Sequence, residues 1–215
     1  MFGSFPEEYL DQEASALINE FPGLLLTGEH FDFGNGYHGS VYLDPHVLIR
    51  SPSLMLRFAQ ILANRASLEI RRADVIAGPW RGGAILANNL AVLLGSSEDP
   101  SKTKDRFLVP IDKLGTGLLY EGFSIKKEYQ NLLAGKRVWI VDDVCNTGKT
   151  LAAAAELIQS QQASVVGVGA ILRRSHPNSR QFPFPEVFAY NVPTPPNFLK
   201  QDCPMCRENK PIFRF

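Results

Sequence analysis

Apolar residues recur along this chain with two different periods. Leu10, Ala14, Leu17, Ile18 and Phe21 repeat at the spacing of one helical face, which predicts an amphipathic helix over Pro6–Phe21. Ser51-Pro52 joins a capping residue to a first-turn proline and predicts a helix running to about Ala66. From residue 74 the pattern changes to short apolar runs. Asp74–Gly78, Arg106–Ile111, Arg137–Val141 and Ser164–Leu172 predict strands, and Gly82–Leu94, closed by Gly95, and Gly148–Gln161 predict helices between them. Such alternation predicts an α/β fold, a mostly parallel sheet with helices on both faces.

The segments around this pattern differ. Gly34, Gly36 and Gly39 predict a loop or hairpin over Gly34–Ser40, and Lys113–Gly122 reads as a glycine-containing excursion. Beyond Arg174, prolines at 177, 183, 185, 193, 195, 196, 204 and 211 exclude long helices and central strands, so this tail reads as an extended cover on the core. At 215 residues the chain is sized for a single domain. We expect a core over about 51–175, with 1–50 and 176–215 around it.

Charge narrows the partners. Lys+Arg and Asp+Glu are each 22, so the net charge is zero, which argues against a nucleic-acid binder and against docking on an anionic membrane. No apolar run approaches the roughly 18–20 residues of a bilayer span, and Met1–Leu10 has no apolar region of a signal peptide. Three cysteines fit a reduced cytoplasm better than a disulfide framework.

The most informative segment is Val138-Trp-Ile-Val-Asp-Asp-Val-Cys-Asn-Thr-Gly-Lys-Thr150. An apolar strand ends in two consecutive carboxylates, Asp142 and Asp143. A short turn with Asn146, Thr147 and Gly148 follows, and Lys149 and Thr150 begin a helix. Ligands of open α/β sheets bind at the carboxyl ends of strands, and a helix start offers free N–H groups to a phosphate. The acids would repel a phosphate but suit a diol or a magnesium-bound group, so the combination points to a ribose 5-phosphate. A Walker A loop would need glycine where Asp143 stands, which removes a nucleoside-triphosphatase reading. A polar strand end with a helix cap also places acids here.

Residues 138–150 resemble the ribose-phosphate binding signature of type I phosphoribosyltransferases. Further residues narrow the resemblance toward the orotate phosphoribosyltransferase branch: Glu29–Asp44 looks like its N-terminal hood, Gly78-Pro-Trp-Arg-Gly-Gly83 like its diphosphate loop, and Arg174 stands where that branch reads the base. Asp202-Cys-Pro-Met-Cys206 is similar to the tail of several bacterial members. The resemblance implies transfer of a phosphoribosyl group from phosphoribosyl diphosphate to a nucleobase, with Mg2+ held through substrate oxygens, alone or with Asp142 or Asp143, in a homodimer. It implies that Asp142 and Asp143 orient the ribose and that residues 146–150 cradle the 5-phosphate. It assigns Gly78, Pro79, Trp80, Arg81, Gly82 and Gly83 to the diphosphate, with a cis peptide bond at Trp80–Arg81, and makes Lys113 the cation of the catalytic loop. The loop departs from the pattern, since Lys113 is the one cation in 112–121, and Gly34 and Asn35-Gly36 depart from the hood pattern. A binding protein without turnover, or another base, therefore remains open.

Individual residues also have plainer readings. Gly78, Gly82 and Gly83 suit positive φ or close backbone approach. Tyr42 suits stacking on a base but equally core packing. Arg81 and Arg174 suit anion binding, the latter by paired N–H donors, but surface exposure is common for arginine. Cys203 and Cys206 lack a second cysteine pair, and His30, His38, His46 and His176 show no partner spacing, so free thiols are the expectation, with a redox or shared metal site as the alternative. Cys145 reads as a small buried apolar residue.

Overall fold

The computed structural model describes residues 6–33, 36–96, 104–115, 122–175 and 180–214. In chain order the elements are α1 (Glu7–Glu20), β1 (Leu25–Asp32), β2 (Tyr37–Leu43), α2 (Pro45–Arg50), α3 (Pro52–Arg65), α4 (Leu68–Arg71), β3 (Val75–Pro79), α5 (Gly82–Gly95), β4 (Phe107–Leu114) and β5 (Gly122–Ser124). Then come α6 (Lys127–Gln130), β6 (Arg137–Cys145), α7 (Lys149–Ser160), β7 (Ser164–Ser175), β8 (Glu186–Pro193), β9 (Phe198–Leu199), a 3-10 turn, α8 (Pro204–Arg207) and β10 (Ile212–Phe213).

Six strands form the core sheet in the order β5-β4-β3-β6-β7-β8, and four form a second sheet in the order β10-β1-β2-β9. All core pairings are parallel except β4 with β5. The apolar runs are continuous because both faces of this sheet are buried. Ile76 of β3 and Trp139 and Val141 of β6 join one core with α1, α3 and α5. Their neighbours Val75, Ala77, Val138 and Ile140 join the other core beneath α7. Alternate side chains of one strand thus fill two cores, as a pleated strand requires.

Local signals account for most boundaries. Leu10, Ala14, Leu17 and Ile18 are the buried face of α1, as their spacing predicts. Pro52 opens α3, but Ser51 makes no side-chain cap bond; Asp44 caps α2 instead, accepting from the His46 N–H at 3.0 Å. The hairpin expected over 34–40 is β1–β2, with Gly36 at φ +82° entering β2; Gly34 and Asn35 lie outside the described residues.

The core reaches beyond 51–175. The four buried residues of α1 belong to the first core cluster, and so do Val187, Ala189 and Val192 of β8. β8 pairs in parallel with β7 at the sheet edge, where prolines are tolerated, so the tail is only partly a cover.

At their N-terminal ends β3 and β6 are tied by an ion pair. Arg137 donates from Nε and Nη2 to the two carboxylate oxygens of Asp74, each at 3.1 Å, and its backbone N–H donates to the same group. These bonds hold the Asp74 carboxyl down at about 2. A depressed carboxylate stabilises the fold above its unfolded value and loses that contribution as pH falls through the folded one. Asp74→Asn should therefore lower the melting temperature at pH 7, with the gap to wild type closing between about pH 4 and pH 2. A pH-independent gap in calorimetry would mean that the ion pair carries no stability.

Candidate active site

The chain reaches β4 on one side of β3 and β6 on the other, so the strand order reverses between β3 and β6. That reversal opens a crevice at the carboxyl ends of the two strands. Two loops meet there: 78–83, which leads from β3 into α5, and 142–150, which leads from β6 into α7. Their contact is very close. A Cβ on Gly82 would lie 1.7 Å from Oδ2 of Asp143, and one on Gly78 would lie 2.2 Å from the Gly83 carbonyl oxygen. A Cβ on Gly83 would meet the Val141 carbonyl at 2.8 Å and Oδ1 of Asp142 at 3.0 Å. These three glycines serve close approach; none has positive φ, which corrects one of the two reasons for expecting them. Gly148 is the left-handed residue, at φ +80°, and it turns the chain into α7.

Asp142 is buried at the end of β6, and Asp143 is half-buried beside it. Oδ1 of Asp142 accepts from the Asp143 N–H at 2.9 Å, and Oδ1 of Asp143 accepts from the Val144 N–H at 2.7 Å. Burial raises both carboxyls above the usual range, and the Asp143 charge pushes Asp142 further; the exposed Lys113 on β4 offsets part of this at both. Below them a cleft is lined by Asp142, Val144 and each residue from Cys145 to Leu151, so it holds Asn146, Thr147, Gly148, Lys149 and Thr150. It opens at the start of α7, whose first N–H groups have no partner within the helix. Trp80 and Arg81 are exposed on the upper loop and joined by a cis peptide bond, as the resemblance implies. Cys145 is buried and its thiol is pushed up to about 12, which leaves an inert apolar side chain.

The phosphoribosyl transferase domain family matches residues 57–189, a span that contains both loops and the acid pair. The chain belongs to the phosphoribosyltransferase family. It is 30% identical over 191 residues to orotate phosphoribosyltransferase of Caldanaerobacter subterraneus subsp. tengcongensis, covering 88% of this chain and 90% of the relative. It is 28% identical to orotate phosphoribosyltransferase of Thermotoga maritima, covering 90% and 92%. The fold is similar to orotate phosphoribosyltransferase from Aeropyrum pernix, with a TM-score of 0.61 at 21% identity over 83% of this chain and 93% of the other. It is also similar to adenine phosphoribosyltransferase from Saccharomyces cerevisiae, with a TM-score of 0.59 at 23% identity over 82% and 99%. Among the described residues no helix is long and apolar enough to cross a membrane.

In this phosphoribosyltransferase the second sheet stands over the end of β7. Arg174 is 7% exposed, which excludes a surface arginine. Its Nη2 donates to the Val41 carbonyl at 3.1 Å and to Oδ1 of Asn197 at 3.2 Å, and its guanidinium lies 5.6 Å from the centre of the Phe33 ring. Tyr42 is half-buried and stacks on Phe33, centroids 6.3 Å apart at 17°, and also touches Phe31 at 5.7 Å. Packing inside the sheet, one of the two readings of Tyr42, is what these rings do. Phe33 and Val41 belong to the Glu29–Asp44 hood segment without having been singled out in it, and Asn197 lies in the tail, outside every motif the sequence named. Asn197, between Pro196 and Phe198, carried no periodic signal; the only cue was that a buried guanidinium needs acceptors.

Cys203 and Cys206 form no disulfide, but two of the histidines do have partners in space, which corrects the reading of their spacing. His30, His38, Cys203 and Cys206 lie together, their ligand atoms within 4.8 Å of one another. Chain spacing hid them because the β1–β2 hairpin folds His38 back beside His30, and the tail returns to pair β10 with β1. His46 stands apart, exposed against Asp44, and His176 lies outside the described residues, as do 116–121 of the expected catalytic loop.

Two substitutions probe the loop contact and the acids. Gly82→Ala should displace Asp143 and weaken phosphoribosyl diphosphate binding, read by calorimetry; unchanged affinity would show that the close approach is not needed. Asp142→Asn keeps the volume and can still accept from the Asp143 N–H. A raised carboxyl contributes stability only while protonated and loses it as pH rises, so a non-ionising amide should melt higher above about pH 4. Each kcal/mol relieved is worth about 2–4 °C in a chain of this size. The same variant should lose turnover, and a lower melting point at pH 7 would contradict the cost assigned to the buried pair.

Proposed function

We propose that this chain transfers the phosphoribosyl group of phosphoribosyl diphosphate to a ring nitrogen of orotate, releasing diphosphate, in the cytoplasm and as a homodimer. The observation that carries the base assignment is the buried guanidinium of Arg174 at the carboxyl end of β7, beneath the Phe33–Tyr42 stack. A planar anion suits it, because guanidinium meets a carboxylate or imide edge with parallel hydrogen bonds. The names of the sequence relatives support the same base.

In this reading the C1–O bond to diphosphate breaks as the C1–N bond to the base forms, and positive charge builds on the ribose. Asp142 and Asp143 accept from the ribose hydroxyls and favour that charge by their own. The N–H groups of 147–150 and the positive end of α7 hold the 5-phosphate, with Asn146 and Lys149 at the rim. Residues 78–83 and the start of α5 hold the diphosphate, where Arg81 and Lys113 add positive charge. Tyr42 bounds the base from the hood side. The reaction needs little proton transfer, so positioning is the main contribution of these groups.

Magnesium fits this donor set. Asp142 and Asp143 offer hard carboxylate oxygens side by side, each with one oxygen already fixed by a backbone N–H. Their burial and mutual repulsion are relieved by a dication. Asp142 or Asp143 would hold the ion alongside substrate oxygens; when bound it neutralises charge on the leaving diphosphate.

The test is an initial-rate assay with phosphoribosyl diphosphate, magnesium and a panel of bases, with orotate expected to give nucleotide. Arg174→Ala should reduce kcat/KM for orotate about 10- to 150-fold, the loss of a charged hydrogen-bond partner of about 1.5–3 kcal/mol. Phosphoribosyl diphosphate affinity should not change. Arg174→Lys keeps the charge without the planar fork and should also lose orotate. An indifferent Arg174→Ala moves base recognition to residues 33–44. Tight phosphoribosyl diphosphate binding without nucleotide from any base would make the chain a binding protein, the outcome that the single cation of 112–121 favours.

A further inference from the structure

We propose that His30, His38, Cys203 and Cys206 bind a structural zinc ion that fastens the second sheet to the C-terminal tail. The four residues come from three separated segments, β1, β2 and the turn into α8, and offer two imidazole nitrogens and two thiols. Two nitrogens and two sulfurs at one point is a donor set of tetrahedral zinc. The spacing fits as well. With Zn–N near 2.0 Å and Zn–S near 2.3 Å, tetrahedral edges are about 3.3 Å for N···N and about 3.6 Å for N···S. Here His30 Nε2 lies 2.8 Å from His38 Nδ1, 3.6 Å from the Cys203 sulfur and 3.7 Å from that of Cys206, and His38 Nδ1 lies 3.3 Å from the Cys206 sulfur. All four ligand atoms lie within 4.8 Å of one another, so opening the imidazole pair by about half an ångström and closing the widest edge by about 1 Å gives the tetrahedron.

The outer atoms of the rings agree. His30 Nδ1 lies 3.0 Å from the Lys210 carbonyl oxygen, an acceptor, so the proton belongs on Nδ1 and Nε2 presents its lone pair inward. His38 turns Nε2 toward Asp32, 3.8 Å away, the side on which a metal-bound histidine commonly meets a carboxylate. The 2.8 Å between the two inner nitrogens is the length of a shared N–H···N bond, whose proton a cation bound to both rings would replace.

The tail is otherwise held by two short strand pairings, the Phe213–Phe31 ring contact and the exposed Arg214–Asp32 ion pair. From Leu199 to Arg214 only Cys203 and Met205 are buried, while His30 and His38 are each 1% exposed. β9 and β10 are two residues each, and α8 is one turn. So little apolar burial cannot offset the entropy of ordering the segment, whereas binding free energy at a structural zinc is folding free energy. The joined segments also carry both acceptors of Arg174, the Val41 carbonyl on β2 and Asn197 just before β9.

Tag-free protein purified without chelator should contain about one zinc per chain by elemental analysis. Cys206→Ser, at the half-exposed ligand, should lose most of it and melt at a lower temperature. Replacing zinc by cobalt in the wild type should give intense visible bands of a tetrahedral site and a thiolate-to-cobalt band, a readout that needs no variant and no enzyme activity. Three results would overturn the proposal: wild type with little zinc whose chelated form gains no stability from added Zn2+; cobalt spectra of octahedral type without thiolate bands; or full zinc retained by Cys206→Ser. A chain lighter by about 2 Da with no reactive thiols at 203 and 206 would make the pair a disulfide instead. None of these readouts depends on which base the enzyme accepts.

Discussion

The site depends on how closely two backbone turns can approach. The loop after β3 and the loop after β6 lie side by side at the point where the strand order reverses, and Gly82 and Gly83 leave no side chain between them, while Gly78 lets the first loop fold back on Gly83. Any Cβ at Gly82 would occupy the place of the Asp143 carboxylate. The two acids and two helix starts therefore converge on one crevice because one loop has given up its side chains. The sheet's parallel pairing sets where the loops emerge; the glycines set how near they come.

The same two strands hold carboxylates in opposite states. At their N-terminal ends Asp74 is gripped by Arg137 and held at about 2. At their C-terminal ends burial raises both Asp142 and Asp143, and the Asp143 charge raises Asp142 further, with backbone N–H bonds and Lys113 offsetting only part of this. An acid can be satisfied at low cost where function asks nothing of it. At the crevice no arginine grips the pair among the described residues, and in the proposed reaction the space beside the two carboxylates is left for the substrate hydroxyls. That is the usual direction of conflict between stability and activity.

Burial explains what the sequence disclosed. Strands flanked by helices on both faces must be apolar throughout, so β3, β4, β6 and β7 were legible, as were the glycine and acid positions that interrupt them. β6 and β7 run further than their apolar stretches because Asp142, Arg173 and Arg174 continue the pairing as polar residues. β8 was hidden by flanking prolines, which an edge strand tolerates and a central one does not. Arg174 could be named, but its acceptors could not, since Asn197 and the Val41 carbonyl reach it only through folding of the tail across β2. The histidine–cysteine cluster was illegible for the same reason: its members, up to 176 residues apart, are neighbours only in space.

These hidden contacts share one character. They all join the N-terminal hairpin to the C-terminal tail, and neither segment has much core of its own. The crevice that meets phosphoribosyl diphosphate rests on a sheet with two full hydrophobic cores, and its geometry is fixed by packing. The wall around Arg174 rests on single hydrogen bonds, one aromatic stack and a polar cluster. A wall held by such directed contacts can change without disturbing the core. It also means that whatever tightens the cluster of His30, His38, Cys203 and Cys206 acts directly on the acceptors of Arg174, and only distantly on the acids and glycines of the crevice.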